Sequence, residues 1–373
     1  MEPVLNTVRR SLACALPALG LALGASAAAH AFTLEGKRVE IIVPFAEGGG
    51  TDVYARFIGP RLGEMLPGKP TVIIRNIPGG GSIAGANQFD DKAKPDGLTL
   101  LSVSTSTMFN YLLEDPGVKY DPATWIPVLV GPLGNVTYIH TKTSIKTPGA
   151  TPETLKALQQ KELMLGANGP TSSDLVEFVG FDLLGIKIKP VFGMNRGKAR
   201  MGLERGELTI SFDNTASYFQ NVVPLVKEGV AVPLMTRGYA DEGGDIGRDP
   251  SVPELPTLED AYKMLNGKAP SGPQYAAYKT LVLSSVMVSK AIVLPKGTPQ
   301  EIVTVYRTAA QNLVKSPTYE KDAEKFSGGY PTLVGKQAET TYVAATKMEP
   351  EVKDWLFGWV EKRFGVKRGE KLK

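Results

Sequence analysis

Val39-Glu40-Ile41-Ile42-Val43-Pro44-Phe45-Ala46-Glu47-Gly48-Gly49-Gly50-Thr51-Asp52 is the stretch that decides the fold. Its first five residues are mostly apolar and β-branched, as in a buried strand. Pro44–Gly50 is a tight loop, and from Thr51 the apolar period becomes helical. Val53, Phe57, Ile58, Leu62 and Leu66 then share one face. Gly68 and Pro70 end that helix. A second strand, 71–74, runs into the loop Asn76–Gly81, another helix starts near Ser82, and 98–103 is a third strand. Strand, glycine loop, helix, strand is the βαβ unit of a parallel α/β sheet.

The same texture continues outward. Strands are expected at 128–130, 138–139, 163–165, 188–192, 208–212 and 230–235. Helices are expected at 152–160, with Thr151 as cap, and at 174–184, with Gly185 as its end. The stretch 238–272 is rich in Gly, Asp and Pro and reads as loop. The run 282–294 is apolar except where Ser289-Lys290 interrupts it. Pro295–Pro299 is a turn that opens a helix, with Pro299 suited to its first position. The tail 352–364 is amphipathic, with Trp355, Leu356, Trp359 and Val360 apolar.

Both glycine loops have the chemistry of an anion site. Glycine lets the backbone approach a ligand closely. A helix that starts at the end of such a loop offers unpaired N–H groups and the positive end of its dipole. Two such loops in successive βα units lie near each other at the carboxyl ends of the strands, where open α/β sheets bind ligands. Thr51 and Asp52 also read as ordinary helix caps. Glu47 counts against a simple anion site unless it turns outward or pairs with a cation. Gly79, Gly81 and Gly85 imitate a dinucleotide fingerprint with the spacing off by one.

Composition removes other classes of function. The chain has 373 residues, enough for two domains of about 100–200 residues, and a net charge of +4 spread along its length. A nucleic-acid footprint needs a clustered basic face, so no nucleic-acid partner is expected. Residues 1–31 read as a secretory signal peptide: Arg9 and Arg10, an apolar run from Leu12 to Leu23, and Ala29-His30-Ala31 before the cleavage point. The Arg-Arg pair leaves general and twin-arginine export both open. Cleavage removes Glu2, Arg9 and Arg10, leaving +3, and takes with it the single cysteine, Cys14, and His30. The mature chain then has no disulfide, thiol catalysis or cysteine metal site, and His140 is its one histidine. Neither a metal, a cofactor nor a catalytic triad is expected, and the reading is of a protein that holds a ligand without transforming it. No later apolar run reaches the ~20 residues of a membrane span.

With these residues in view, the chain resembles the substrate-binding proteins of tripartite tricarboxylate transporters, the Bug family. Val39–Asp52 is similar to the family's IxxIVPFxxGGGTD, Arg75–Gly81 (RNIPGGG) to its RPGxGG loop, and Pro95–Leu101 (PDGLTLL) to its PDGYTLL. Tyr120–Ala123 and Trp125–Val128 resemble YDP…DFxPV, Gly206–Asn214 resembles GxxDxxFDN, and Lys296–Pro299 matches the APKGTP turn. The similarity runs from about residue 37 to 350; each motif is weak alone, and their order carries it. The chain departs at Glu47, where a small residue or proline is usual, at Thr209, where Asp is commoner, in a longer 262–290, and in a tail extended beyond Pro350.

The resemblance implies a two-domain α/β fold of the periplasmic-binding-protein, Venus-flytrap type II kind, with the ligand cleft between domains. It implies domain one at 32–131 plus 239–373 and domain two at 132–238, in a monomeric periplasmic protein. It implies capture of a small carboxylate (di- or tricarboxylate, or aromatic acid) for the membrane subunits of a transporter. The family's first two βα loops map to Phe45, Ala46, Gly49, Thr51 and Asp52, and to Gly80, Gly81 and Ser82. Ser104 and Thr105 follow the third strand. Domain two would close with Gly169, Thr171 and Ser172, with Asn195 and Arg196, and with Asp213 and Asn214. Arg196 could pair bidentately with a second carboxylate, and Tyr218 and Phe219 either stack on an aromatic acid or pack in the core. A binding protein that feeds a signalling receptor shares this cleft. A secreted hydrolase using Ser82 or Ser172 lacks a G-x-S-x-G elbow and a histidine partner.

Overall fold

The first glycine loop leaves the carboxyl end of an inner, parallel strand. The computed structural model describes residues 32–240, 245–327 and 329–370; the signal-peptide reading of 1–31 lies outside them. Strand β1 (Arg38–Val43) pairs in parallel with β2 (Thr71–Asn76) on one side and β3 (Thr99–Ser104) on the other. Ile41, Ile42 and Val43 are buried because helices cover both faces of a parallel sheet. The helix Gly50–Met65 follows β1, and the helix Ile83–Lys92 follows β2.

β4 (Ile126–Gly131) completes the early part of this sheet, and the chain then builds a second one. β5 (Asn135–His140) pairs antiparallel with β8 (Ile210–Asn214) and β9 (Ala231–Thr236). β6 (Glu162–Gly166) runs parallel to β7 (Lys187–Val191) and to β8. A short hairpin of β10 (Tyr239–Ala240) and β11 (Ile246–Gly247) follows. The chain returns to the first sheet with β12 (Lys290–Leu294) and β13 (Leu333–Val334). The orders are β13-β4-β12-β3-β1-β2 and β7-β6-β8-β5-β9. β12 lies antiparallel between β3 and β4. This two-sheet α/β architecture agrees with the fold class expected.

Four readings need correction. The loop expected at 238–272 contains the helix Leu258–Asn266, opened by a capping box of Thr257 and Asp260. The helix Thr105–Leu112 was not anticipated, because TSTMFNYL has low helix propensity; Ser104 starts it through a capping box with Thr107. The apolar run 282–294 is two elements, the end of helix Pro273–Met287 and β12. Pro299 caps the helix Gln300–Val314 from just outside it.

The extended tail packs as the helix Pro350–Phe364. Trp359 donates to Asp182 at 3.0 Å, and Phe364 sits edge-on to Phe178 and Phe192. On its other side Lys353 and Arg368 hold Glu114, at 2.8 and 2.6 Å. Arg368 first, with Lys353, lowers the Glu114 pKa to about 2 against the effect of burial.

Candidate ligand-binding site

The site grows from the carboxyl end of β1. Gly49 caps the helix Gly50–Met65 without any side-chain bond, and the first helical bond runs from Val53 N–H to the Gly49 carbonyl at 3.0 Å. Thr51 and Asp52 therefore do not cap this helix, and its first N–H groups have no intrahelical acceptor. Asp52 is buried and accepts from Gly48 N–H and Asn76 Nδ2, each at 2.9 Å, and from Arg56 Nε at 3.0 Å. Burial raises its pKa, but the bonds from Arg56, Gly48 and Asn76 outweigh it, and the net direction is down. Asn76 also donates to the Phe45 carbonyl at 3.0 Å. Asp52 thus braces the loop from behind. Glu47 points outward, its side chain 77% exposed, and pairs with Arg56 at 3.3 Å, which removes its objection to an anion site.

The second sheet brings its strand ends against this loop. Arg200 Nη1 donates to both oxygens of Asp213, at 3.1 and 3.2 Å, and Arg200 Nη2 reaches across to the Gly48 carbonyl at 3.3 Å. Asp213 also accepts from Tyr138 and Ser217 hydroxyls at 2.9 and 2.8 Å. Asn214 accepts from Ser217 N–H at 2.9 Å and lies so close to Gly50 that a Cβ there would stand 2.2 Å from its amide nitrogen. Ser106 and Ser173 join the two sides through hydroxyls 3.0 Å apart.

Between these walls is a cleft of about 710 Å³, its open mouth included. Arg196 enters it with the central carbon of its planar guanidinium 4.1 Å from the Phe212 centroid. Its Nη2 is committed to Asp174 at 2.7 Å and to the Gly166 carbonyl, whereas buried Nε and Nη1 find no acceptor among the described residues. A bidentate fork for a ligand is therefore not free as built. Arg237 lies on the same Phe212 ring at 4.8 Å and pairs with Glu177 at 2.9 Å. Lys290 is buried; its Nζ donates to the Ser289 carbonyl at 2.8 Å, and burial first, then Arg237, push its pKa down to about 7.

No family model matches the chain. It is 44% identical over 79 residues to a UPF0065 protein of Bordetella pertussis, which is 21% of this chain and 24% of that one. It is 39% identical over 83 residues to protein BugT of the same organism, 22% and 24% of the two chains. The chain thus spans about a quarter of the length of these curated relatives where it matches them. Periplasmic binding protein BugD superposes with TM-score 0.64 at 21% identity, over 88% of this chain and 98% of its own. The chain is similar to Bug proteins in sequence over these short stretches and in fold over most of its length. A Rhodopseudomonas palustris structure with adipate superposes equally well, with TM-score 0.65 and 23% identity over 87% of this chain and 96% of that one. At such identities the likeness speaks for the fold, which is that of periplasmic binding proteins.

The cleft gathers Phe45, Ala46, Gly49 and Thr51 with Ser104 and Thr105, and opposite them Asn195, Arg196, Asp213 and Asn214. Gly80, Gly81, Gly169, Thr171 and Ser172 line a neighbouring cavity of about 790 Å³, which shares Asn168 with the cleft. Asp52 and Ser82 line neither. Tyr218 and Phe219 pack edge-on, 5.5 Å apart, outside the cleft lining. His140 lies away from the cleft and accepts from Lys142 N–H at 2.8 Å; burial, then Lys142, lowers its pKa.

Sequence reasoning missed Lys290, Arg237, Ser285, Ser289, Asn135, Asn168 and Phe212. Two left a signal: Lys290 breaks an apolar run, and Arg237 follows an apolar strand directly before Gly238. Among the described residues no group of His, Cys, Asp or Glu is arranged to hold a metal ion. Among them, too, no helix is long and apolar enough to cross a membrane.

Proposed function

We propose that this chain is a periplasmic solute-binding protein that closes on a small organic carboxylate and passes it to the membrane subunits of a tripartite tricarboxylate-type transporter. It holds the ligand without reacting with it. The lobes that close are 32–131 with 239–373, and 132–238, in a monomer exported by residues 1–31. The strand membership of the two sheets supports that division. The relatives are in keeping with it: solved neighbours hold malate and adipate.

One observation carries the reading: both walls of the cleft present N–H donors, the start of the helix Gly50–Met65 and Lys290 on one and Arg196 on the other. One wall presents the amino end of the helix Gly50–Met65, where N–H groups and dipole attract an anion. Arg196, Arg237 and Lys290 line the cleft, and among the described residues one acid, Asp213, lines it too, already held by Arg200. Arg196 Nε and Nη1 are buried without acceptors among the described residues, at a cost of about 1–3 kcal/mol per buried group. A ligand oxygen relieves it.

The test is a thermal-shift screen of the purified protein against small carboxylates, with their amides as controls. An acid at 100 times its Kd adds about 2.7 kcal/mol, and the matching amide adds far less. Stabilisation by an uncharged or cationic solute and by no acid overturns the carboxylate reading while leaving the fold intact.

A further inference from the structure

Lys290 stands apart from the other cations of the cleft. Arg196 is neutralised by Asp174 at 2.7 Å and Arg237 by Glu177 at 2.9 Å. The lining acid Asp213 gives its oxygens to Arg200, Ser217 and Tyr138. Lys290 forms no ion pair among the described residues; its contacts are the Ser289 carbonyl at 2.8 Å and the Ser289 hydroxyl at 3.4 Å. An ammonium has three donors, so at least one remains for a ligand.

Its place in the sheet also sets a spacing. Ile42 of β1 lies beside Leu101 of β3, and Ser104 of β3 lies opposite Lys290 of β12. The first glycine loop and Lys290 therefore leave the same end of the sheet, two strands apart. Two strand spacings are roughly 10 Å, room for a short chain with an acidic group at each end.

We propose that Lys290 is the specificity-determining residue of this cleft: its ammonium takes a second acidic group of a ligand whose first is held at the glycine loop, so dianions are preferred over acids with a neutral far end. This rests on the carboxylate-capture reading above.

The acidity of the amine supplies a readout that a purely structural lysine would not move. Its pKa of about 7 comes from burial, then Arg237, opposed by Asp213. Among the described residues these are the charged groups facing it; β3 and β4, on either side of β12, place Ser104 and Gly131 opposite it. At pH 8 the free amine is mostly neutral. An anion placed against it raises its pKa, so a dianion takes up close to one proton from the buffer as it binds.

The experiment is calorimetry of the purified protein at pH 8, in HEPES and in Tris, whose ionisation enthalpies differ. The probes are malate and the linear diacids from malonate to pimelate, each with its monoamide. The best diacid is expected to bind about tenfold or more tighter than its monoamide, with proton uptake seen for the diacid alone. In Lys290→Met the affinity ratio falls to within about threefold and the uptake disappears. Equal binding of diacid and monoamide by the native protein, or uptake that persists in the variant, overturns the role of Lys290 while carboxylate capture stands. If no acid binds at all, the capture reading falls and this one with it. Should circular dichroism show Lys290→Met unfolded, the affinity ratio and uptake of the native protein decide the matter.

Discussion

The two glycine loops look alike as sequence and stand in different places in the molecule. The first follows β1, an inner strand next to β3, and faces the cleft. The second follows β2, the edge strand, and lines the neighbouring cavity. Their glycines differ in purpose too. Gly50 has ordinary helical geometry and is glycine for space, because Asn214 of the other sheet lies against it. Gly81, at φ +63°, is glycine for backbone freedom, in a left-handed turn that continues into Ser82 at +104°. A loop's position in the strand order, more than its glycine count, decides whether it meets the second sheet.

Gly50→Ala should have the largest effect on this contrast. The added methyl pushes against Asn214, which Ser217 N–H holds in place, so closure is impeded. Affinity for the best acid should fall about tenfold or more, by calorimetry, while the Tm of the ligand-free protein changes little, since Ala is the better helix former. Unchanged affinity would remove this approach from the bound form. Gly81→Ala should instead cost stability, about 1–2 kcal/mol from the left-handed backbone, read by denaturant unfolding, with affinity kept within about threefold. A loss of affinity as large as that of Gly50→Ala would put the second loop on the ligand and end the distinction.

Asp52 ties the two loops together through Asn76, and its contribution depends on pH. Its folded pKa lies below its unfolded value. The stability it adds is therefore complete above the unfolded value of about 4 and is lost as pH falls through the lower folded one. Asp52→Asn should flatten the acid limb of a stability–pH curve in that window and leave its neutral part with the same slope. The smallest effect belongs to Glu47→Gln. An exposed ion pair contributes less than about 1 kcal/mol, so unfolding and acid affinity should both stay near native. A marked gain in affinity would mean that Glu47 turns toward the cleft in the bound form.

Much of this architecture was legible in the chain. The apolar period switches from strand to helix at Thr51, and the glycines mark where the first loop lies; ten of the residues expected to hold ligand line the one cleft. Illegible parts have physical reasons. TSTMFNYL forms a helix because Ser104 and Thr107 cap it and Phe109 and Met108 are buried, not through propensity. Ser82, a ligand contact by its place in a glycine loop, is fully buried beside Tyr120, and Asp52 is turned to its own loop. Arg237 and Lys290 come from strand ends far apart in sequence, and nothing local announces that they share a cavity.

The sequence by itself determined the βα order, the two glycine loops, the placing of the single cysteine at Cys14 and the likeness to the Bug family, because periodicity, turn chemistry and composition are local properties. Only the tertiary structure decided which loop faces the cleft, that Glu47 points away from it, that Asp174 and Glu177 neutralise two of its arginines, and that Lys290 has no acid in contact among the described residues. Strand order and burial set which charges meet and which lose their water, and neither is a property of any short stretch of chain.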